Sequence, residues 1–163
     1  MPLTDVAPLE ASIDIDAPPA RVWALVSDLR NMPRWSPQCR KTIVRGGAMR
    51  KGAKLFNINR RGLLVWPTQA MVTEYDAERR VAFRIRENWT IWSFTLEPTP
   101  SGGTRLVERR EAPKGISDLS AKLTDKVLGG VPEFTEELQV GMEQTLRRIK
   151  ADVEADVENG AER

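Results

Sequence analysis

The chain has 163 residues, 40% of them apolar and 29% charged, the size and balance of one globular domain that buries about two-thirds of its unfolded surface. It contains no histidine and a single cysteine, Cys39, so imidazole catalysis, histidine metal sites, an internal disulfide and a cysteine metal cluster are excluded within the chain. The net charge of +2 is unevenly spread, because residues 1–150 hold 24 basic against 18 acidic side chains while residues 151–163 hold five acids against Arg163.

Residues 1–8 read as an extension without the basic cluster or apolar run of an export signal, and no later stretch approaches the ~20 apolar residues that span a bilayer. A cytoplasmic protein without membrane insertion is therefore expected. Ala11, Ile13 and Ile15 alternate with Ser12, Asp14 and Asp16, the period of a half-buried strand. Pro18-Pro19 stops that strand and opens a short amphipathic helix carrying Val22, Trp23, Leu25, Val26 and Leu29. The segment Asn31 to Pro37, with prolines at 33 and 37, must turn, and Trp35 within it is expected to be anchored in the structure.

From Cys39 to Ala112 six strands are predicted, about 40–45, 54–60, 63–75, 81–86, 90–96 and 104–112, broken at Gly46-Gly47, Arg61-Gly62, Asp76 to Glu78 and Pro98 to Gly103. A two-residue loop at Arg61-Gly62 would set Arg60 opposite Leu63. Pro67 removes a ladder donor, so its strand should be an edge, bulged or bent there. Ser117 can cap a helix over 118–128, ended by Gly129-Gly130. From Pro132, the residues Phe134, Leu138, Met142, Leu146, Ile149 and Val153 recur at helical spacing as one long apolar stripe. The sheet is the only surface large enough to cover that stripe, so it must curl around the helix. The acidic segment 154–163 is expected to fray into a disordered tail.

The segments Asp16 to Trp23, Ser27-Asp28-Leu29 to Met32-Pro33-Arg34-Trp35-Ser36-Pro37, Glu74 to Phe83, and Trp92 to Pro98 with Gly103-Thr104 resemble, in order and spacing, the bacterial polyketide cyclase/dehydrase-like branch of the START-like (SRPBCC) superfamily. The resemblance implies an α+β helix-grip fold over residues 9–153, a seven-stranded curved antiparallel sheet wrapped around a long C-terminal helix. It also implies an elongated cavity between sheet and helix, which in this superfamily holds lipids, sterols, polyketides, plant hormones or aromatic substrates. It does not imply one activity.

Candidate lining residues are Phe56, Ile58, Met71 and Phe83, followed by Trp92 and Phe94 on the sheet and Phe134, Leu138 and Met142 on the helix; Met and flat aromatic faces suit an apolar ligand, but equally fill an ordinary core. Arg60, on the face of Phe56 and Ile58, is a candidate for the cavity mouth. On the last strand Leu106, Glu108 and Arg110 share one face, and Val107, Arg109 and Glu111 the other. If Leu106 marks the interior, a carboxylate and a guanidinium project into the cavity; if Val107 does, both charges lie in water. Gly141, in the middle of the long helix, either leaves space beside the sheet or lies on a solvated face.

Three functions follow as expectations: binding or carriage of an apolar small molecule or lipid without catalysis, a polyketide cyclase, aromatase or dehydratase using Glu108 with Arg110 or Arg60 and no metal, and a regulatory, antitoxin-like interaction module using the basic body or the acidic tail as contact surface, with the helix over 118–128 as lid or partner face. No cofactor, metal or nucleic-acid partner is expected, and the chain is expected to be a monomer or weak homodimer.

Overall fold

The computed structural model describes residues 7–115 and 131–161. The chain begins with β1 (Leu9–Ile15), then α1 (Pro19–Val26), a 3-10 turn (Leu29–Asn31) and the one-turn helix α2 (Met32–Trp35). Six strands follow, β2 (Cys39–Val44), β3 (Lys54–Arg61), β4 (Leu64–Asp76), β5 (Arg80–Ile85), β6 (Ile91–Pro98) and β7 (Thr104–Glu111), and then α3 (Val131–Ala161). All seven strands form one antiparallel sheet in the order β1-β7-β6-β5-β4-β3-β2, which is the fold anticipated from the sequence. The helix expected over 118–128 lies outside the described residues.

Local chemistry accounts for the elements. Pro18 and Pro19 set extended and first-turn dihedrals at the start of α1, which buries Val22 and Val26. The Asp28 carboxylate accepts the Arg30 N–H at 3.1 Å and caps the 3-10 turn. Gly62 has φ +60°, and the hairpin pairs Arg61 with Leu64 and Arg60 with Val65, one residue later than expected, so the loop is Gly62-Leu63. Pro67 sits on β4 beyond the last β4–β5 ladder pair, Ala70 with Ile85, where the ladder to β5 has ended. Gly103 lets β7 cross close to β1: a methyl group there would stand 2.6 Å from the Ile15 carbonyl oxygen. Gly103→Ala is expected to cost about 1–3 kcal/mol in urea unfolding, because backbone must yield; a cost below about 0.5 kcal/mol would show that the β1–β7 contact is slack.

The stripe on α3 divides into two halves. Leu146, Ile149 and Val153 are fully buried and join Val22, Val26, Leu29 and Trp35 in the main core, while Phe134 and Leu138 remain half-buried nearer the helix start. Trp35 is enclosed, and its indole N–H donates to Asp152 Oδ2 at 2.6 Å. The acidic segment corrects the sequence reading: residues 154–161 continue the helix. Arg34 pairs with Asp152 at 2.9 Å, Arg21 approaches Asp156 at 3.7 Å and Val157 packs on the core, so contacts with the first helices hold a segment whose composition suggested fraying. Gly141 faces inward and not to solvent: it lines the space between sheet and helix, and a methyl group there would meet Pro37 Cγ at 3.3 Å. No helix among the described residues is long and apolar enough to cross a membrane.

Candidate functional site

Between the concave face of the sheet and the first half of α3 lies a cavity of about 410 Å³. The register fixes which side chains can reach it. Leu106 is fully buried and pairs with Ile13 and Leu96, so the face of β7 that carries Leu106 also turns Glu108 and Arg110 inward. Both line the cavity, at 3% and 7% exposure. Phe94 lies opposite Glu108 and Trp92 opposite Arg110 on β6; Phe83 lies opposite Trp92 on β5. These three aromatic rings form one wall, and Phe134, Leu138 and Met142 of α3 face it across the cavity.

Four sequence-derived candidates are displaced from this site. Phe56, Ile58 and Arg60 share the opposite face of β3 from Leu55, Asn57 and Asn59, and it is the latter set that lines the cavity. Phe56 is 38% exposed on the outer face, where it pairs in register with Ile43. Met71, 47% exposed, alternates with the buried Ala70 and Val72 and also faces out. The Arg60 guanidinium folds back to the hairpin and donates to the Gly62 carbonyl at 2.7 Å, away from the cavity. The physical reason is that Leu55 and Ala70 extend the main core, which forces their alternating partners outward whatever their hydrophobicity.

The wall built by β2, β3 and β4 is therefore polar. The Thr42 hydroxyl donates to Asn57 Oδ1 at 2.8 Å, Asn59 Nδ2 donates to Thr68 Oγ1 at 3.1 Å, and Cys39 Sγ lies 3.3 Å from the Thr42 hydroxyl. Sequence reasoning missed these residues; the available signal was the run of short hydrogen-bonding side chains at alternate positions of adjacent strands, Asn57 and Asn59 beside Thr68. Burial pushes the Cys39 thiol up from its ordinary value, which disfavours a reactive thiolate.

Electrostatics set the β7 end apart. Among the described residues Glu108 Oε2 is enclosed without a hydrogen-bond partner, and burial holds this carboxyl well above the usual carboxylate range, which favours its neutral form. Burial lowers the Arg110 guanidinium from its ordinary value, yet a guanidinium stays charged at neutral pH. Two other acids on the lining are engaged: Glu137 of α3 takes the Arg61 Nε–H at 2.7 Å, which holds it below the usual range, and Glu87 accepts the Gln69 N–H at 2.8 Å. Among the described residues no three His, Cys, Asp or Glu side chains converge as metal ligands. The arrangement offers an aromatic slot, a hydrogen-bonding wall and one buried carboxyl near one cation.

The family model described as polyketide cyclase / dehydrase and lipid transport matches residues 7–154. Among solved structures, the Polyketide_cyc-like protein Cgl2372 from Corynebacterium glutamicum is 26% identical, with a TM-score of 0.60 over 93% of this chain and 94% of that one. TTHA0849 from Thermus thermophilus is 18% identical, with a TM-score of 0.66 over 92% and 99%. The di-domain ARO/CYC StfQ from the steffimycin biosynthetic pathway reaches a TM-score of 0.73 at 11% identity, over 93% of this chain and 51% of that one. Among curated proteins there is no match.

Proposed function

Because the chain belongs to the polyketide cyclase/dehydrase and lipid transport family, we propose that it binds one apolar small molecule or lipid between the sheet and α3, as a carrier or sensor and not as a catalyst. The observation that carries this reading is the cavity of about 410 Å³ with its aromatic wall, a volume within the range of small-molecule sites. Flat rings on β5 and β6 supply apolar contact area, and the polar β2–β4 wall orients a ligand that carries oxygen atoms.

Native mass spectrometry of the protein as purified, followed by organic extraction, tests the reading. The expected result is one releasable apolar compound per chain. A bare chain mass that persists after exposure to a lipid extract and a fatty-acid panel would falsify it.

A second reading, cyclisation or aromatisation of a polyketide-like substrate, is favoured by one specific feature, the buried Glu108, whose burial favours the neutral carboxyl, two residues from the charged Arg110 on the cavity face of β7. Glu108 can give or take a proton, and Arg110 can stabilise an enolate. That reading expects Glu108→Gln and Arg110→Met each to lower the conversion rate of a polyketide analogue by about 100-fold or more; unchanged rates in both variants reject it.

A further inference from the structure

We infer that the cavity selects apolar molecules bearing one anionic group, a carboxylate or an equivalent oxyanion, seated on the Arg110 guanidinium and hydrogen-bonded by Glu108. The inference rests on the reading of the cavity as a ligand site and adds the chemical class of its occupant.

Arg110 has more than nine-tenths of its surface removed from water and faces the cavity, and its side chain makes no hydrogen bond or ion pair among the described residues. A guanidinium brings five N–H donors in a planar fork, and holding them away from water without an acceptor is costly. Such a group is a socket for an acceptor that the described residues do not supply. Glu108, two residues earlier on the same face, does not supply that acceptor: no ion pair joins the two, and its Oε2 lacks a partner among the described residues. In its neutral form the Glu108 carboxyl is itself a donor, so both groups ask for oxygen lone pairs.

The charge count favours a single negative charge. Glu137 is tied to Arg61 and Glu87 accepts a main-chain N–H, which leaves the Arg110 charge unmatched among the described lining residues. A cationic ligand would meet Arg110 and require Glu108 to ionise in an enclosed position; a dianion would bring more charge than one guanidinium offsets. The register places Trp92 beside Arg110 and Phe94 beside Glu108, so the anionic group must sit directly against a flat apolar body. An aromatic carboxylate fits this best, and an acidic phenol or enolate shares the chemistry.

The test is calorimetric titration of the full chain at pH 7 with two matched pairs, naphthoate against naphthalenemethanol and dodecanoate against dodecanol, together with naphthol as the phenolic arm. The acid of at least one pair is expected to bind about tenfold or more tighter than its alcohol, the factor that follows from one charge-assisted hydrogen bond. Arg110→Met is expected to erase that preference and keep the alcohol affinity, which also reports that the variant is folded; Arg110→Lys should keep part of it. Equal affinities for acid and alcohol in the unmodified chain, or a preference for the acid that survives in Arg110→Met, overturn the inference and leave the cavity reading standing. Absence of binding by every probe rejects the cavity reading and the inference with it. Naphthol is neutral at pH 7, so naphthol binding tighter than naphthoate would also overturn the requirement for an anionic group. If Arg110→Met does not fold, the acid-to-alcohol comparison in the unmodified chain decides.

Discussion

Trp35→Ala is expected to lower unfolding free energy by about 3–5 kcal/mol, a large share of the total for a domain of this size. The indole is the largest fully enclosed side chain, and its loss opens a void beneath α1 and α3 that the surrounding core cannot fill. It also anchors three contacts with α3: its ring N–H reaches Asp152, and its main-chain carbonyl accepts from Arg148 Nη1 at 3.0 Å and from the Thr145 hydroxyl at 3.5 Å. Asp152 keeps Arg34 as a partner when the indole is removed, so the main cost is the void and not a stranded carboxylate. Trp35→Phe separates the two terms. It keeps most of the ring volume, loses the donor, and is expected to cost about half as much as the alanine variant. Urea unfolding measures both; equal losses for Phe and Ala would assign the effect to the hydrogen bond instead of packing.

Unfolding free energy is expected to fall as pH rises through the folded-state pKa of Glu108, and Glu108→Gln should remove most of that slope. The sign follows from linkage. Burial raises the carboxyl's pKa in the folded chain, so above the ordinary Glu value of about 4.3 the folded state still holds a proton that the unfolded chain has released. Stability therefore drops across that interval and levels off once the folded carboxyl has ionised. Below the unfolded value both states are protonated and the group contributes nothing. Arg110 on the same strand, Glu137 of α3 with its partner Arg61, and Glu87 after β5 are the charged groups around the same cavity. At pH 9 the Gln variant is expected to exceed the unmodified chain by about 1–3 kcal/mol, the penalty of an unpaired buried polar group, and at pH 4 to match it. Urea midpoints at pH 4, 7 and 9 decide the matter, and parallel pH profiles for the two chains would show that the carboxyl finds a partner on ionising.

The periodicities that specify the sheet and the long helix were legible because burial imposes them on one face at a time. Ala11, Ile13 and Ile15 alternate with polar residues on β1, and the six apolar residues from Phe134 to Val153 recur along α3. The strand β7 was ambiguous, since both faces carry charges, and Leu106 was the marker that pointed the correct way. Reading β3 by hydrophobicity inverted it. With Leu55 held in the core, alternation places Asn57 and Asn59 on the cavity side and Phe56 and Ile58 outside, the reverse of a reading by hydrophobicity. The acidic end of α3 was misread for a different reason: its partners Arg21 and Arg34 lie more than a hundred residues away in the chain, where no local pattern can reveal them.

The course of α3 along the first strand has a further consequence. Gln139 Nε2 donates to the Glu10 carbonyl at 3.0 Å and Lys150 Nζ to the Asp14 carbonyl at 2.8 Å, so the helix clamps the outer rim of β1 at two points along its length. An unpaired strand rim is a template on which another chain can add a strand and seed fibrils. By occupying those carbonyls with its own side chains, α3 makes the helix that roofs the cavity also the guard against polymerisation through β1.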